Sequence, residues 1–173
     1  MTFVNALASE CLGRGYLLQK QNLVEVLVKI LHREQGDTNL RQCALGTLQK
    51  FSLRRRPQTI MIQLDMIKWI SNILKNEAEH LSDYSIEYAT ALLMNLSLRS
   101  SGKDKCEDPD IQLLTVLSDL VEHDNLQVRT YVNGTLYSIF TRKKLREEAK
   151  SLGMREVLQY LMNQSDEQFK RQI

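Results

Sequence analysis

The feature that most constrains this chain is that it can be laid over itself. The segments CALGTLQKFSLR from Cys43, YATALLMNLSLR from Tyr88 and YVNGTLYSIFTR from Tyr131 superpose at spacings of 45 and 43 residues. A second family lies between them: NLVEVLVKIL from Asn22, DMIKWISNIL from Asp65, IQLLTVLSDLV from Ile111 and GMREVLQYLM from Gly153. A unit of this size cannot bury its own apolar face. It gains a core only by stacking on neighbours, so the chain must build an extended array.

Within a unit the period is helical. Leu23, Val24, Leu27, Ile30 and Leu31 form one stripe at 3.6-residue spacing. The next helix opens at Asp37 to Asn39, whose side chains suit an N-cap; Ser82-Asp83 and Asp124-Asn125 recur there in the following units. Its inward row is Ala44, Leu48 and Phe51, matched by Ala89, Leu93 and Leu96 and by Val132, Leu136 and Ile139. A short third helix follows, over 57–63 in one unit and 145–152 in the last, and Pro57 fits a first turn because the N–H it lacks has no partner there. Only seven Gly and two Pro interrupt the 173 residues. These observations predict an all-α, right-handed helical-repeat solenoid. Three helices per unit favour the armadillo type over the two-helix HEAT-like alternative.

The expected organisation is one array over 1–173, with repeats at about 13–53, 54–98 and 99–141 and partial repeats at 1–12 and 142–173. A long first helix is expected from Phe3 to Leu12, with Gly13-Arg14-Gly15 between helices. Ser100 to Asp110, with its Ser-Ser-Gly, mixed charges and Pro, reads as a flexible loop in place of a short helix. Ser165 to Phe169 reads as the cap and first turns of a further helix. Both ends thus look like cuts through a longer array.

Charge and cysteine content narrow the function. Against 23 basic side chains stand 21 acidic ones, for a net charge of +2, too even for a whole-domain nucleic-acid or membrane surface. Cys11, Cys43 and Cys106 are odd in number and widely spaced, which predicts reduced thiols rather than a zinc site or a disulfide framework. No apolar run reaches the roughly 20 residues that span a bilayer. His32, His80 and His123 fall near helix ends, without a Cys, Ser or Asp at a useful spacing, and no Gly-rich phosphate loop is present. The chain is therefore read as a non-catalytic protein-interaction scaffold with no cofactor, metal or small-molecule substrate.

The strings QNLVEVLVKIL, GDTNLRQCALGTLQKFSLRRRPQT, ALLMNLSLRSSGK and YVNGTLYSI, within roughly Glu10 to Ile173, resemble the armadillo-repeat-containing protein nine family. These are LisH-domain proteins of the ciliary basal body and centriole. The resemblance implies an armadillo array serving cilium assembly and stability, in the cytoplasm and cytoskeleton, at the centriole, basal body and cilium. It also implies partners at the ciliary base, among them a tubulin-associated TOG-array protein. The family's dimerising LisH segment has no counterpart among these residues, so dimerisation is not implied here.

In armadillo repeats the last helix of each unit lines the concave face, and peptide-binding members carry there a Trp and, four residues on, an Asn that holds an extended partner backbone. The Trp positions here are Gly46, Ala91 and Gly134; the Asn positions are Lys50, Asn95 and Ser138, of which Asn95 alone fits. The rows Cys43-Gly46-Lys50-Arg54, Tyr88-Ala91-Asn95-Arg99 and Tyr131-Gly134-Ser138-Arg142 each share a helix face. They predict a shallow floor with Tyr88 and Tyr131 on one side and Arg54, Arg99 and Arg142 on the other. Arg55, Arg56, Lys103, Lys105, Lys143 and Lys144 extend the basic edge, while Glu34, Asp37, Glu77, Asp83, Glu122 and Asp124 form an acidic one. Helix dipoles alone favour bases at C-termini and acids at N-termini by about 0.3–1 kcal/mol each, so both edges also have a purely structural origin. Gly46 and Gly134 equally suit close helix packing, and Tyr88 and Tyr131 half-buried packing. Two binding readings follow: an arginine rim that selects carboxylate-bearing protein segments, tubulin tails among them, or nucleic acid along the same basic edge. Trp69, the single Trp, is expected to pack against the next unit or to mark a convex contact.

Overall fold

The computed structural model describes residues 1–20 and 22–164. Twelve α-helices and two short 3-10 turns, at Ala78–His80 and Pro109–Ile111, account for its regular structure, and the described residues include no strand. The repeated unit is visible in the order of the elements. Short helices α2 (Cys11–Leu17), α5 (Arg55–Gln63), α8 (Ser100–Cys106) and α11 (Lys143–Ser151) alternate with two sets of helices. One set is α3 (Leu23–Arg33), α6 (Met66–Asn76), α9 (Leu113–Leu120) and α12 (Met154–Gln164); the other is α1 (Thr2–Ser9), α4 (Asn39–Phe51), α7 (Asp83–Ser97) and α10 (Leu126–Ile139). Helices of the last set pack successively, α1 on α4, α4 on α7 and α7 on α10, and form an inner layer backed by α3, α6 and α9. Three helices per unit stacked in this way make a helical-repeat solenoid of armadillo type.

The expected inward rows build the core. Ala44, Leu48 and Phe51, then Ala89, Leu93 and Leu96, then Val132 and Ile139 are wholly buried, with Leu136 nearly so. Three of the inner helices, α4, α7 and α10, begin where a side-chain oxygen answers an orphan N–H: Thr38 for Arg41, Ser82 for Ser85 and Asn125 for Gln127. Two of the three, α4 and α10, end at a corner capped from the short helix that follows. Gln58 Nε2 donates to Ser52 O at 2.8 Å and Arg146 Nη1 to Phe140 O at 2.5 Å, six residues back in both cases. Arg14 Nη1 does the same for Ala8 O at 2.9 Å at the end of α1. Lys103 occupies this register after α7 but donates instead to Thr141 Oγ1, since Ser97 O accepts from Ser138.

Three local expectations are corrected. The first helix stops at Ser9, where Glu10 is extended (φ −83°, ψ 138°), and Gly13-Arg14-Gly15 lies inside α2 rather than between helices. Ser100 to Cys106 is helix α8, not a loop. The reason is the same in both places. The short helix must fold back hard on the inner helix before it, and a Cβ at Gly13 or Gly102 would lie 2.1 or 2.0 Å from the carbonyl oxygen of Leu7 or Leu96. Glycine there is the condition for the corner, not a helix breaker. The next corner, from short to middle helix, takes left-handed residues at Asp65 (φ 54°), Gln112 (φ 50°) and Gly153 (φ 68°). Ser165 to Phe169 lies outside the described residues.

The two glycine environments predict opposite outcomes for one substitution. Gly15 is exposed within α2 and a Cβ there meets nothing, so Gly15→Ala should stabilise by about 0.5–1 kcal/mol. Gly102→Ala must displace backbone and should destabilise by more than about 1 kcal/mol. Urea unfolding of the two variants beside the parent checks both signs.

Candidate partner-binding surface

The inner layer brings the expected positions together, but not all of them face outward. Asn95 is 8% exposed and its Nδ2 donates to Ser52 Oγ at 2.8 Å, tying α7 to the end of α4. Ser138, 5% exposed, donates to Ser97 O at 2.8 Å and ties α10 to α7 in the same register. These two positions, expected on the partner-facing row, therefore hold the neighbouring repeat. Lys50 is half-buried and donates to Asn5 O at 3.2 Å and Asn5 Oδ1 at 2.5 Å, with its ammonium 5.7 Å from the Tyr88 ring centre. Burial holds the Lys50 pKa below its ordinary value; Cys43 opposes this, and Arg14 adds to it by a smaller amount.

The small residues of these rows set the helix spacing. A Cβ on Gly134 would lie 2.7 Å from Met94 Sδ, and one on Gly46 would lie 2.3 Å from the Tyr84 hydroxyl. Tyr84 stacks on Tyr88 with ring centres 4.2 Å apart, and Asn5 Nδ2 donates to its hydroxyl at 3.4 Å. Tyr88 and Tyr131 are half-buried on the open side of α7 and α10. Between them, with Gln49, Glu87 and Ala91, lies a cavity of about 90 Å³. The Tyr131 phenol is raised above its usual pKa by burial, then by the Glu87 carboxylate and Tyr88. Sequence reasoning passed over Glu87 and Gln49. The equivalents of Glu87 are Gln42 and Thr130, so nothing in the repeat marks it.

The three rim arginines occupy one structural position. Arg54, Arg99 and Arg142 are the extended residues before α5, α8 and α11. Two of them reach the first residue of the preceding short helix. Arg54 Nη2 contacts Cys11 Sγ at 3.4 Å, and Arg142 Nη2 donates to Ser100 O at 3.2 Å. Arg142 also pairs with Asp104 and lies 3.8 Å from Glu107. For Arg99 the corresponding residue is Arg55, a like charge, and Arg99 forms no ion pair among the described residues. Among the described residues, charge is thus compensated toward α11 and left without an ion pair at Arg54, Arg55, Arg56 and Arg99. Elsewhere on this edge Lys105 pairs with Asp65 at 2.6 Å and Lys144 donates to Glu107 O at 2.7 Å.

Two members of the acidic edge, Asp37 and Glu77, are engaged inside the array. Asp37 accepts from Ser82 N at 2.8 Å, Ser85 Oγ at 2.5 Å and Gln42 Nε2 at 3.0 Å, so it fastens the start of α7. Burial pushes its pKa up, but these hydrogen bonds together outweigh burial and hold the carboxyl below its ordinary value. Glu77 pairs at 2.7 Å with Arg41, which is 3% exposed and lies over Trp69, its guanidinium carbon 5.2 Å from the ring centre. His32 stacks on the same indole. Trp69 therefore packs against the preceding unit rather than the next one. His123 Nδ1 accepts from Asn125 N, a loop-shaping role. Cys43 is buried beside Asn39, while burial, then Glu107, pushes the Cys106 thiol up to about 12. None of these groups presents an activated nucleophile.

The stacked three-helix units and the continuous inner layer define an armadillo-repeat protein, a class that works as an interaction scaffold. A sequence model of the ARM repeats of LisH domain-containing protein ARMC9 matches residues 61–173, and the chain belongs to that family. It is 46% identical over 170 residues to the Bos taurus protein, 45% to the Homo sapiens protein and 43% to the Danio rerio protein, in each case over 98% of this chain. It spans 25%, 21% and 21% of the lengths of those relatives. Among solved structures, an engineered protein from the Northeast Structural Genomics Consortium shares the fold. Its TM-score is 0.71 at 18% identity, over 86% of this chain and 58% of that one. No helix among the described residues is long and apolar enough to cross a membrane.

The seam makes two predictions. Asn95→Ala should destabilise by about 1–3 kcal/mol, and Ser52→Ala should add less on top of it than it does alone. The measurement is a double-mutant cycle by urea unfolding. Because the folded pKa of Asp37 is depressed, the stability it contributes is present above the ordinary carboxylate range and is lost as pH falls through the folded value. The difference in melting temperature between the parent and Asp37→Asn should be full at pH 7 and shrink below about pH 4.

Proposed function

We propose that this array is a scaffold of the ciliary basal body, and that its basic edge holds a carboxylate-rich segment of a protein partner. The observation that carries the binding mode is the register of Arg54, Arg99 and Arg142 at successive corners, with positive charge uncompensated around Arg99. Guanidinium forks match carboxylates in pairs, and a row of them at repeat spacing matches an extended acidic strand better than a point charge does. Membership of the family supports the setting: the cytoplasm and cytoskeleton, at the centriole, basal body and cilium, in cilium assembly and stability. A tubulin-associated TOG-array protein and the acidic tails of tubulin are partners with the required chemistry.

The test is binding of a fluorescent glutamate-rich peptide at two ionic strengths. Arg54→Glu, Arg99→Glu and Arg142→Glu combined should weaken binding about tenfold or more and flatten its salt dependence. Arg99→Glu alone should weaken it more than Arg142→Glu alone, because Arg142 is already paired within the array. Unchanged affinity and salt slope would remove the rim reading. Tighter binding of a duplex or single-stranded oligonucleotide than of the peptide would favour nucleic acid along the same edge.

A further inference from the structure

The cavity between Tyr88 and Tyr131 has a chemistry opposite to that of the rim beside it. Its walls come from three successive inner helices: Gln49 from α4, Glu87, Tyr88 and Ala91 from α7, and Tyr131 from α10. Glu87 is half-buried there. Its carboxylate accepts one hydrogen bond, from Asn125 Nδ2 at 3.2 Å, and no Lys or Arg among the described residues pairs with it. A carboxylate offers about four lone-pair positions, so most of its accepting capacity is left unused by the array. The nearby ammonium of Lys50 is already held by Asn5. Ala91, small and 3% exposed, keeps the floor open where a larger side chain would fill it. Two phenol rings, an amide and a half-desolvated carboxylate around about 90 Å³ suit the head of one cationic side chain. They repel an anion.

We infer that this cavity is a recognition pocket for a single arginine or lysine side chain of the protein partner, received by Glu87 and Gln49 between Tyr88 and Tyr131. The inference rests on the reading of the inner layer as a partner-binding face and refines the partner's chemistry. The segment carries a basic residue that enters the pocket and acidic residues that lie on the arginine rim. Such a charge pattern fixes register, because a shift along the groove would set like charges against each other.

Two probes test it separately from the rim. The first is n-butylguanidinium titrated into the isotope-labelled chain, with n-butyrate as control. Amide signals of Gln49, Glu87, Ala91 and Tyr131 should shift and saturate with the cation and not with butyrate. Glu87→Gln, which keeps the side chain's size, should weaken that binding about tenfold, with an unchanged circular dichroism spectrum. The second is the glutamate-rich peptide with one central Arg against its Gln counterpart. The Arg peptide should bind the parent about five- to tenfold more tightly than the Gln peptide, and Glu87→Gln should erase that preference. Equal cation affinity in the parent and Glu87→Gln, no shift of these amides, or no gain from the peptide's Arg would overturn the pocket. Loss of glutamate-peptide binding with intact butylguanidinium binding would remove the rim and uphold the pocket.

Discussion

The structure depends on the close, flank-to-flank packing of its inner helices. Gly46 and Gly134 let α4, α7 and α10 approach until one helix's backbone meets the next helix's side chains. At that distance the seam between repeats must satisfy polar groups as well as fill volume. Asn95 and Ser138 do so by bonding to Ser52 and to the Ser97 carbonyl, one step back in the array. Asp37 repeats the device at the other end, reaching across to the serines that start α7. Each repeat is thus fastened to its neighbour at both ends of the inner helix, with an apolar core between.

This fastening explains why the surface looks as it does. Several side chains expected to reach a partner, Asn95, Ser138 and Asp37 among them, are engaged within the array. Arg99, the phenols of Tyr88 and Tyr131, and Glu87 are left more open to a partner. The corner arginines that make a contact meet the start of the preceding short helix at Cys11 Sγ and at the Ser100 carbonyl. Whether their charge is compensated follows from the acids of that helix: Asp104 in α8 and Glu107 just after it pair with Arg142, whereas α5, which precedes Arg99, contains no acidic residue.

Much of the fold was legible in the sequence. The period, the helix stripes, the caps at Thr38, Ser82 and Asn125 and the inward rows follow from residue spacing, because a stacked array forces equivalent residues into equivalent environments. Helix α8 was not legible. Its glycine and mixed charges carry the local signature of a loop, and only contact with the Leu96 carbonyl shows why glycine is required at that corner. The direction in which Trp69 packs was hidden for a similar reason: its partners His32 and Arg41 lie in the preceding unit, at separations no local pattern records.

By itself, the sequence determined the repeat, the helical class, the family and the register that places Arg54, Arg99 and Arg142 on one edge. Periodicity specifies which residues share a helix face. It does not specify whether that face meets solvent or the next helix, since both arrangements use the same spacing. Tertiary structure decided that Asn95 and Ser138 are buried in the seam, that Asp37 is a fastener, and that Glu87 stands in a cavity between two tyrosines. Those outcomes depend on how closely helices about 43 residues apart approach one another, a property of the packed array rather than of any one segment.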